Sequence, residues 1–407
     1  MHSNINKNIF TMTIKRFMIC LSLAIATMGF TACNSGDDDE PGNIPGQGNG
    51  QGGNIGFTPE RIVDVSQAGT LPEKISEVDM YKIKSLRLTG VLNGTDILFL
   101  RKMAGRDEQG YATGGILENL DISDTKIVSG GEAYYQGYKT NYDEIGDYMF
   151  CELPSLKIVL LPNEATETGT HAFYNCANLT SVKIPEKITN IGDYTFNNCY
   201  SLTSINLPKA LTDIGENAFS GCSSIVSITI PEHIKYIKQG TFKDCTSLAS
   251  VILPENLKSI ASGSHPNPDG YGEVDGYNGA FTNCKSIKEI NIPNSVTNIG
   301  SFAFMGCSAL ESIKLPDGII WLREACFKDC YNLKSITIPQ GVRYILAPFI
   351  GCKLNSVYIK NSTPPYTRAK IIDCESTILY VPRGSLDKYK NDKYWGTSFA
   401  DILEYDL

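Results

Sequence analysis

Apolar residues recur with a fixed period over more than half of the chain. The apolar positions of the stretch that starts at Cys199 are Leu202, Ile205, Leu207, Leu211, Ile214 and Phe219. Each of them has an apolar counterpart at the same place in the next stretch, which ends at Phe242. A period of about 23 residues is typical of a solenoid, in which one repeat forms one coil. The pattern therefore predicts an array of stacked coils.

Within one coil the spacing indicates a short strand. Ile313 and Leu315 are two residues apart, so both side chains lie on one face of an extended segment. Pro316 then ends the strand because it cannot donate a ladder hydrogen bond. A second apolar pair, Ile319 and Leu322, follows. One coil cannot bury these residues alone, whereas stacked coils can, with strands about 4.8 Å apart. We predict a repeat solenoid of stacked parallel β-strands with short turns.

Cysteines and glycines mark the coils. The marking cysteines are Cys151, Cys176, Cys199, Cys222, Cys245, Cys284, Cys307, Cys330 and Cys352. We predict that all nine share one coil position and form a buried ladder of free thiols, since parallel Cβ vectors disfavour bridging. Cys326 and Cys374 lie outside this ladder. Glycines such as Gly192 and Gly215 follow the second apolar pair, where we expect a positive φ.

The full pattern C-x-x-L-x-x-I-x-I-P-x-x-I-x-x-I-G-x-x-A-F resembles the BspA-like, or Treponema-type, leucine-rich repeat of bacterial surface proteins. The resemblance extends from Ile145 to Ile359, and the flanking segments resemble those of Bacteroidetes members. It implies a leucine-rich-repeat solenoid with a binding role. Two residues of one coil, Ala165 and Thr168, depart from the apolar pattern.

Residues 1–33 have the character of a lipoprotein signal peptide. Lys15 and Arg16 precede the apolar run Phe17–Phe30, which is short for a membrane span. The residues before Cys33 are small and resemble a bacterial lipobox, so Cys33 is the predicted lipidation site. Ordinary cleavage near Ala32 is the alternative, and either Met1 or Met12 is the start residue.

Residues 34–56 are predicted to be a flexible tether, acidic at first and then rich in glycine. An acidic run directly after a lipidated cysteine resembles the surface-export signal of Bacteroidetes lipoproteins; a purely solvated tether is the alternative. The resemblance implies an outer-membrane lipoprotein exposed at the cell surface.

Three segments follow the tether. Residues 57–148 are predicted to form an N-terminal cap of atypical repeats, with a helix over 96–103 and an irregular segment over 127–142. Residues 149–360 form the array, with an inserted surface loop at 262–278. Residues 361–407 form a C-terminal cap, in which Tyr389, Trp395, Phe399 and Ile402 lie on helical turns and Trp395 plugs the core.

The net charge and the absence of common motifs limit the functions that the chain can have. The formal net charge is −8, and residues 33–407 hold 33 basic against 44 acidic residues. This acidity argues against nucleic acid as the partner. The sequence contains no catalytic or metal-binding motif of the common types, so we predict neither an enzyme nor a cofactor.

The outward strand positions offer a binding surface. The candidate residues are Ser181, Lys183, Ser204, Asn206, Ser227, Thr229, Ser312 and Lys314, together with Tyr271 and Tyr277 of the inserted loop. The alternative is that serine merely suits a tightly stacked sheet face. A face with few aromatic residues favours a protein ligand, with a glycan as the second option.

We therefore expect a cell-surface protein that binds a protein ligand in adhesion or host interaction. The alternative is an accessory envelope lipoprotein of a nutrient-uptake or surface-assembly complex. A hydrolase is a third, weaker hypothesis.

Overall fold

The computed structural model describes residues 57–260, 278–372 and 376–406. The predictions that concern residues outside these ranges are those on the export signal, the tether, Cys33, Tyr271, Tyr277 and Cys374.

The described array is a parallel β-solenoid, as predicted. The first strand of successive coils is β7 (Ile158–Leu160), β9 (Ser181–Lys183), β12 (Ser227–Thr229), β14 (Ser250–Ile252), β16 (Glu289–Ile290), β18 (Ser312–Ile313), β20 (Ser335–Ile338) and β22 (Ser356–Ile359). All pairings among them are parallel, for example Ser227 with Ser250 and Glu289 with Ser312. The equivalent segment around Ile205 forms no regular strand, so the ladder is interrupted there.

A second ladder of two-residue strands runs beside the first. Its members are β6 (Glu144–Ile145), β8 (Glu167–Thr168), β10 (Asn190–Ile191), β11 (Asp213–Ile214), β13 (Tyr236–Ile237), β15 (Ser259–Ile260), β17 (Asn298–Ile299), β19 (Trp321–Leu322) and β21 (Tyr344–Ile345). The second residue of each strand is buried. The second apolar pair of each coil therefore closes the core from another side.

Stacked phenylalanines form the centre of the core. Nine rings, from Phe150 to Phe349, occupy the same coil position, with neighbouring centroids 5.3–5.9 Å apart. Such pairs contribute about 0.5–1.5 kcal/mol each beyond their burial. Ala165 and Thr168, which depart from the repeat pattern, are nevertheless buried at core positions.

The ladder cysteines are buried free thiols that make a repeated hydrogen bond. From Cys176 to Cys352, each Sγ donates to the carbonyl of the phenylalanine one coil earlier, over 2.9–3.2 Å. Burial raises the pKa of Cys176 to about 12 and that of Cys199 well above its ordinary value. Cys326 lies outside the ladder and is also a buried free thiol.

The prediction that Cys151 belongs to this ladder is wrong. The ladder position is the third residue after the phenylalanine, and in the first coil Leu153 occupies it. Cys151 follows Phe150 directly, and its sulfur and carbonyl accept hydrogen bonds from Arg101 at 3.7 and 3.3 Å. The signal of this difference in the sequence is the spacing from Cys151 to Cys176, which is longer than that from Cys176 to Cys199.

The prediction for the repeated glycines is also wrong in its reason. Gly192 and Gly215 are absent from the residues with positive φ. A Cβ atom on Gly215 would instead lie 2.4 Å from the backbone nitrogen of Asp193 in the preceding coil. The close approach of the preceding backbone therefore leaves no room for a side chain at Gly215, whereas Lys238 and Arg323 occupy the equivalent position in later coils.

The N-terminal cap adds three parallel strands and two helices to the array. Strands β1 (Arg61–Val65), β2 (Ser85–Leu92) and β3 (Asn119–Ile127) extend the first ladder in parallel. Helix α1 (Leu71–Lys74) is a single turn, and helix α2 (Gly94–Met103) starts in a capping box formed by Asn93 and Asp96.

The segment predicted to be irregular contains a hairpin instead. Strands β4 (Gly130–Tyr135) and β5 (Tyr138–Thr140) are antiparallel. Gln136 and Gly137, with φ of 43° and 94°, join them. A two-residue turn with both φ values positive matches the twist of a hairpin, and the Gln-Gly pair was its sequence signal.

The C-terminal cap closes the other end of the array. It contains β23 (Ile378–Pro382), α3 (Leu386–Lys390), α4 (Trp395–Ser398) and β24 (Asp401–Tyr405). Ile402 lies on a strand and not on a helical turn, because β24 pairs with β23 as a last rung. Trp395 is fully buried and donates its Nε1–H to the carbonyl of Pro365 over 2.9 Å, which confirms that it plugs the core.

Two glycines of the array differ in the room that an added methyl group would have, so their substitution by alanine should differ in its effect on stability. Gly215→Ala should lower the free energy of unfolding by about 1–3 kcal/mol, because the backbone that its Cβ meets cannot move aside. Gly318→Ala should change it by less than about 0.5 kcal/mol, since the nearest atom, Cγ2 of Thr297, lies 3.6 Å away. Urea denaturation of both variants checks this difference, and equal stability would contradict it.

Candidate binding surfaces

The first-strand face consists of the outward positions on either side of the buried strand residue in each coil. Among the eight described candidate residues, only Ser181 is half-buried. The other seven are exposed: Lys183, Ser204, Asn206, Ser227, Thr229, Ser312 and Lys314. The parallel register places them in two rows that run along the array, so stacking lines up residues that are far apart in the sequence, from Ser181 to Lys314.

A tyrosine cluster at the C-terminal end of this face was missed in the sequence. The rings of Tyr358 and Tyr380 stack with centroids 4.7 Å apart, and Tyr405 meets Tyr358 edge-on at 5.6 Å. Tyr405 also donates its hydroxyl to the carbonyl of Ile359 over 3.2 Å. The signal was the alternation of Ser356 and Tyr358, continued in register by β23.

The inserted loop joins the array one residue earlier than predicted. The backbone carbonyl of Asn278 accepts a hydrogen bond from the nitrogen of Gly240 over 3.0 Å. Its side-chain oxygen accepts another from Nζ of Lys243 over 2.7 Å. Asn278 therefore belongs to the coil, and the insertion is Ser262–Tyr277.

The second-strand face consists of the outward residues in and beside the second strands. In the first four coils it carries Asp143, Glu144, Glu167 and Asp213, and no basic residue stands at these positions. Lys238 of the fifth coil reaches back to Asp213, with Nζ 2.7 Å from Oδ2. The face is therefore acidic at its N-terminal end, and the ion pair marks the end of that part.

Aromatic and basic residues occupy the C-terminal part of the same face. Trp321 and Tyr344 stack with centroids 3.9 Å apart, and Tyr366 meets Tyr344 edge-on at 6.1 Å. The guanidinium of Arg323 lies 5.6 Å from the centre of the Trp321 ring. Its Nε–H donates to Oδ1 of Asn298 over 3.2 Å, which fixes its orientation.

A third feature is an aromatic stack at the corner that precedes the phenylalanine ladder. The imidazole of His171 lies between the rings of Tyr148 and Tyr194, with both centroid distances 4.7 Å. All three residues have φ between 56° and 58°, a conformation that large side chains rarely adopt. Burial lowers the pKa of His171 to about 4, although Asp147 and Asp193 oppose this shift.

Metal-binding clusters and membrane-spanning helices are absent from the part of the chain that the structure describes. Within it, no set of three His, Cys, Asp or Glu side chains is arranged to hold a metal ion. Nor does a helix long and apolar enough to cross a membrane occur among those residues. The surfaces that remain are extended faces built of repeated positions.

Comparisons with known proteins agree with this architecture. A profile of the BspA type leucine rich repeat region matches residues 140–267 and 277–374 in six copies, which is more than half of the chain. The chain belongs to this leucine-rich-repeat family. No curated protein is significantly similar to it.

Solved structures of leucine-rich-repeat proteins are similar to this chain. One from Bacteroides ovatus is 27% identical, with a TM-score of 0.54, and the match covers 68% of this chain and 67% of that chain. The leucine-rich-repeat protein of T. pallidum is 30% identical over 43% of this chain and 73% of its own, with a TM-score of 0.36. A leucine-rich cell surface protein from Faecalibacterium prausnitzii is 25% identical, covering 69% and 86%, with a TM-score of 0.30.

The stacked imidazole predicts a pH dependence of stability. The folded protein disfavours protonation of His171, whose pKa lies near 4 rather than 6.5, so the unfolded chain binds more protons between these values. Stability should therefore be full above about pH 6.5 and fall as the pH drops towards 4. The loss should be about 1–2 kcal/mol, because the ring is partly exposed.

The variant His171→Tyr tests this dependence, since tyrosine occupies the same position in both neighbouring coils. It should keep the stack and remove that part of the pH dependence. Urea denaturation at several pH values from 4 to 7 measures the difference between the two proteins. An unchanged pH profile in the variant would contradict the assignment.

Proposed function

We propose that this protein is a cell-surface binding protein that uses its solenoid to hold a protein ligand in adhesion or host interaction. The observation that carries the proposal is the first-strand face, where rows of small polar side chains and isolated lysines lie on a rigid, regularly spaced backbone. An extended face of this kind can accommodate a folded partner, since a standard interface needs about 800 Å² per partner.

The composition of the face supports a protein ligand over a glycan. Serine, threonine and asparagine predominate along the rows, while the half-buried tyrosines Tyr358 and Tyr380 lie together at one end. Aromatic residues commonly provide the strongest contacts of protein interfaces. Tyr271 and Tyr277 of the inserted loop are proposed to add such contacts beside the face.

The surface location rests on the export features of the N-terminal sequence and on family membership. We propose that Cys33 is lipidated, that residues 34–56 tether the solenoid to the outer membrane, and that residues 57–407 face outwards. The F. prausnitzii protein to which the chain is similar is described as a cell surface protein.

A charge-reversal pair tests the face. Lys183→Glu combined with Lys314→Glu should weaken binding of the labelled protein to cultured epithelial cells at least tenfold, about 1.4 kcal/mol, because both lysines are exposed on the face. Lys353→Glu, the same substitution at a single exposed site off both strand faces, is the control. Flow cytometry measures the binding. Equal binding of all three proteins would refute the proposal.

Deletion of Ser262–Tyr277 separates the loop from the face in the same assay. The deletion should leave the melting temperature nearly unchanged, because the loop contributes no periodic core position, and should also lower binding at least tenfold, about 1.4 kcal/mol. If binding persists while the lysine variants weaken it, the first-strand face alone is the site. If the protein unfolds, the loop is structural.

The anchor is tested independently of the ligand. Cys33→Ala should abolish labelling with a fatty-acid analogue and release the protein from the membrane fraction, because it removes the residue that is proposed to carry the lipid. Replacement of Asp37–Glu40 by alanine should preserve labelling but reduce cleavage by protease added to intact cells. Membrane fractionation of Cys33→Ala that matches the wild type would disprove the anchor.

A further inference from the structure

The C-terminal part of the second-strand face carries a strip of basic and aromatic residues. This strip, which we call the basic aromatic strip, consists of Lys258, Trp321, Arg323, Arg343, Tyr344 and Tyr366. Lys258 and Arg343 are exposed, and Tyr366 is 57% exposed. In the described coils from Lys235 onwards, the second strands and the residues directly before and after them contain no carboxylate. Glu324, one position further on, is the nearest acid along the chain.

This absence of acid contrasts with the rest of the molecule. The chain has a net charge of −8, and the N-terminal part of the same face carries four carboxylates. Charges of opposite sign are therefore segregated along one continuous face. Such segregation produces a positive potential at one end of the face, which favours the binding of an anionic partner and disfavours that of a cationic partner.

The strip is also ordered before any partner arrives. Tyr344 and the Arg323 guanidinium both lie over the Trp321 ring, and Asn298 holds the Nε–H of Arg323. Ordered side chains lose little entropy on binding, so a larger share of the contact energy appears as affinity. Tryptophan, tyrosine and arginine are the residue types most enriched among strong protein contacts.

The demands of stability do not explain these residues. Their side chains lie outside the core, and the buried residues of the same strands, Leu322 and Ile345, already fill the repeat positions. Ile320, which is 46% exposed, adds a further apolar side chain beside Arg343. Exposed apolar groups interspersed with cations are typical of an interface.

We propose that the basic aromatic strip binds an acidic polypeptide segment, at a site separate from the first-strand face. Carboxylates of the segment pair with Arg343, Lys258 and the outer nitrogens of Arg323, while its apolar side chains contact Trp321, Tyr344 and Ile320. The rings of Trp321 and Tyr344 stack on one another, so less of their ring face remains for the sugar stacking that a glycan site uses. The acidic coils repel the segment and confine it to the C-terminal end.

The test uses a fluorescent random copolymer of glutamate and tyrosine as the probe, with binding to the purified full chain followed by anisotropy. Arg343→Glu should weaken binding at least tenfold and Arg343→Gln about threefold, since only the former adds repulsion. Lys183→Glu makes the same charge change on the first-strand face and should leave binding unchanged. Trp321→Ala should weaken binding with an unaltered salt dependence, because it removes an apolar contact.

Competition distinguishes the other anionic partners. Polygalacturonate should displace the copolymer at least tenfold less effectively than unlabelled copolymer does. Tighter binding of polygalacturonate, lost in Arg343→Glu, would assign the strip to an acidic glycan and overturn the proposal. Equal loss in Arg343→Glu and Lys183→Glu, or no binding at low salt, would overturn it too. If light scattering shows salt-sensitive dimers that Arg343→Glu abolishes, and the copolymer does not bind, the occupant is a second copy of this chain and the proposal is overturned.

Discussion

The close parallel stacking of one coil on the next is the constraint on which the structure depends. Backbone hydrogen bonds such as that from Gly215 to the carbonyl of Ile191, 2.8 Å long, fix the separation of successive coils. Every side chain must then fit against a copy of its own position about 4.8 Å along the axis. At Gly215 the preceding backbone leaves no room for a Cβ atom, and flat rings suit the core because they stack.

The same constraint explains why cysteine suits its position in the ladder. The thiol is small enough to stack, apolar enough to be buried, and able to donate to the phenylalanine carbonyl of the preceding coil. That carbonyl already accepts a bond from the backbone of its own coil, for example Phe196 from Cys199. The sulfur therefore supplies a second, weak bond between coils without demanding a partner of its own.

The N-terminal end of the array shows how the chain covers a first coil that has no regular coil before it. Arg101 is fully buried and donates through Nη1 to the carbonyls of Met149 and Cys151, which lie in the first coil. The ring of Tyr135 lies 4.6 Å from its guanidinium carbon. Among the residues that the structure describes, Nε and Nη2 of the guanidinium have no hydrogen-bond partner. A helix and its arginine thus take the place of a preceding turn.

Periodicity predicted the coil, the buried ladder and the free thiols because each depends on a residue type recurring at one position. It misplaced Cys151 because the first coil is matched to the array by its phenylalanine and not by its cysteine. It predicted the wrong reason for the repeated glycines, a positive φ, because spacing in the sequence does not reveal how closely two backbones approach. The strip around Trp321 is not visible in the core periodicity because its residues stand at outward positions of the second strands, although Trp321 and Tyr344 stand one repeat apart.

The last coil carries a further consequence of the repeated contacts. Between Arg323 and Ala325 stands Glu324, whereas Leu346 and Ala347 of the next coil are adjacent, so one residue has been lost at a corner while Phe349 still stacks on Phe327. Because each coil presents to its successor the same surface that it receives from its predecessor, whole coils can be duplicated or removed by recombination without leaving an unmatched junction. The length of the array is thus free to change during evolution while its two caps stay the same.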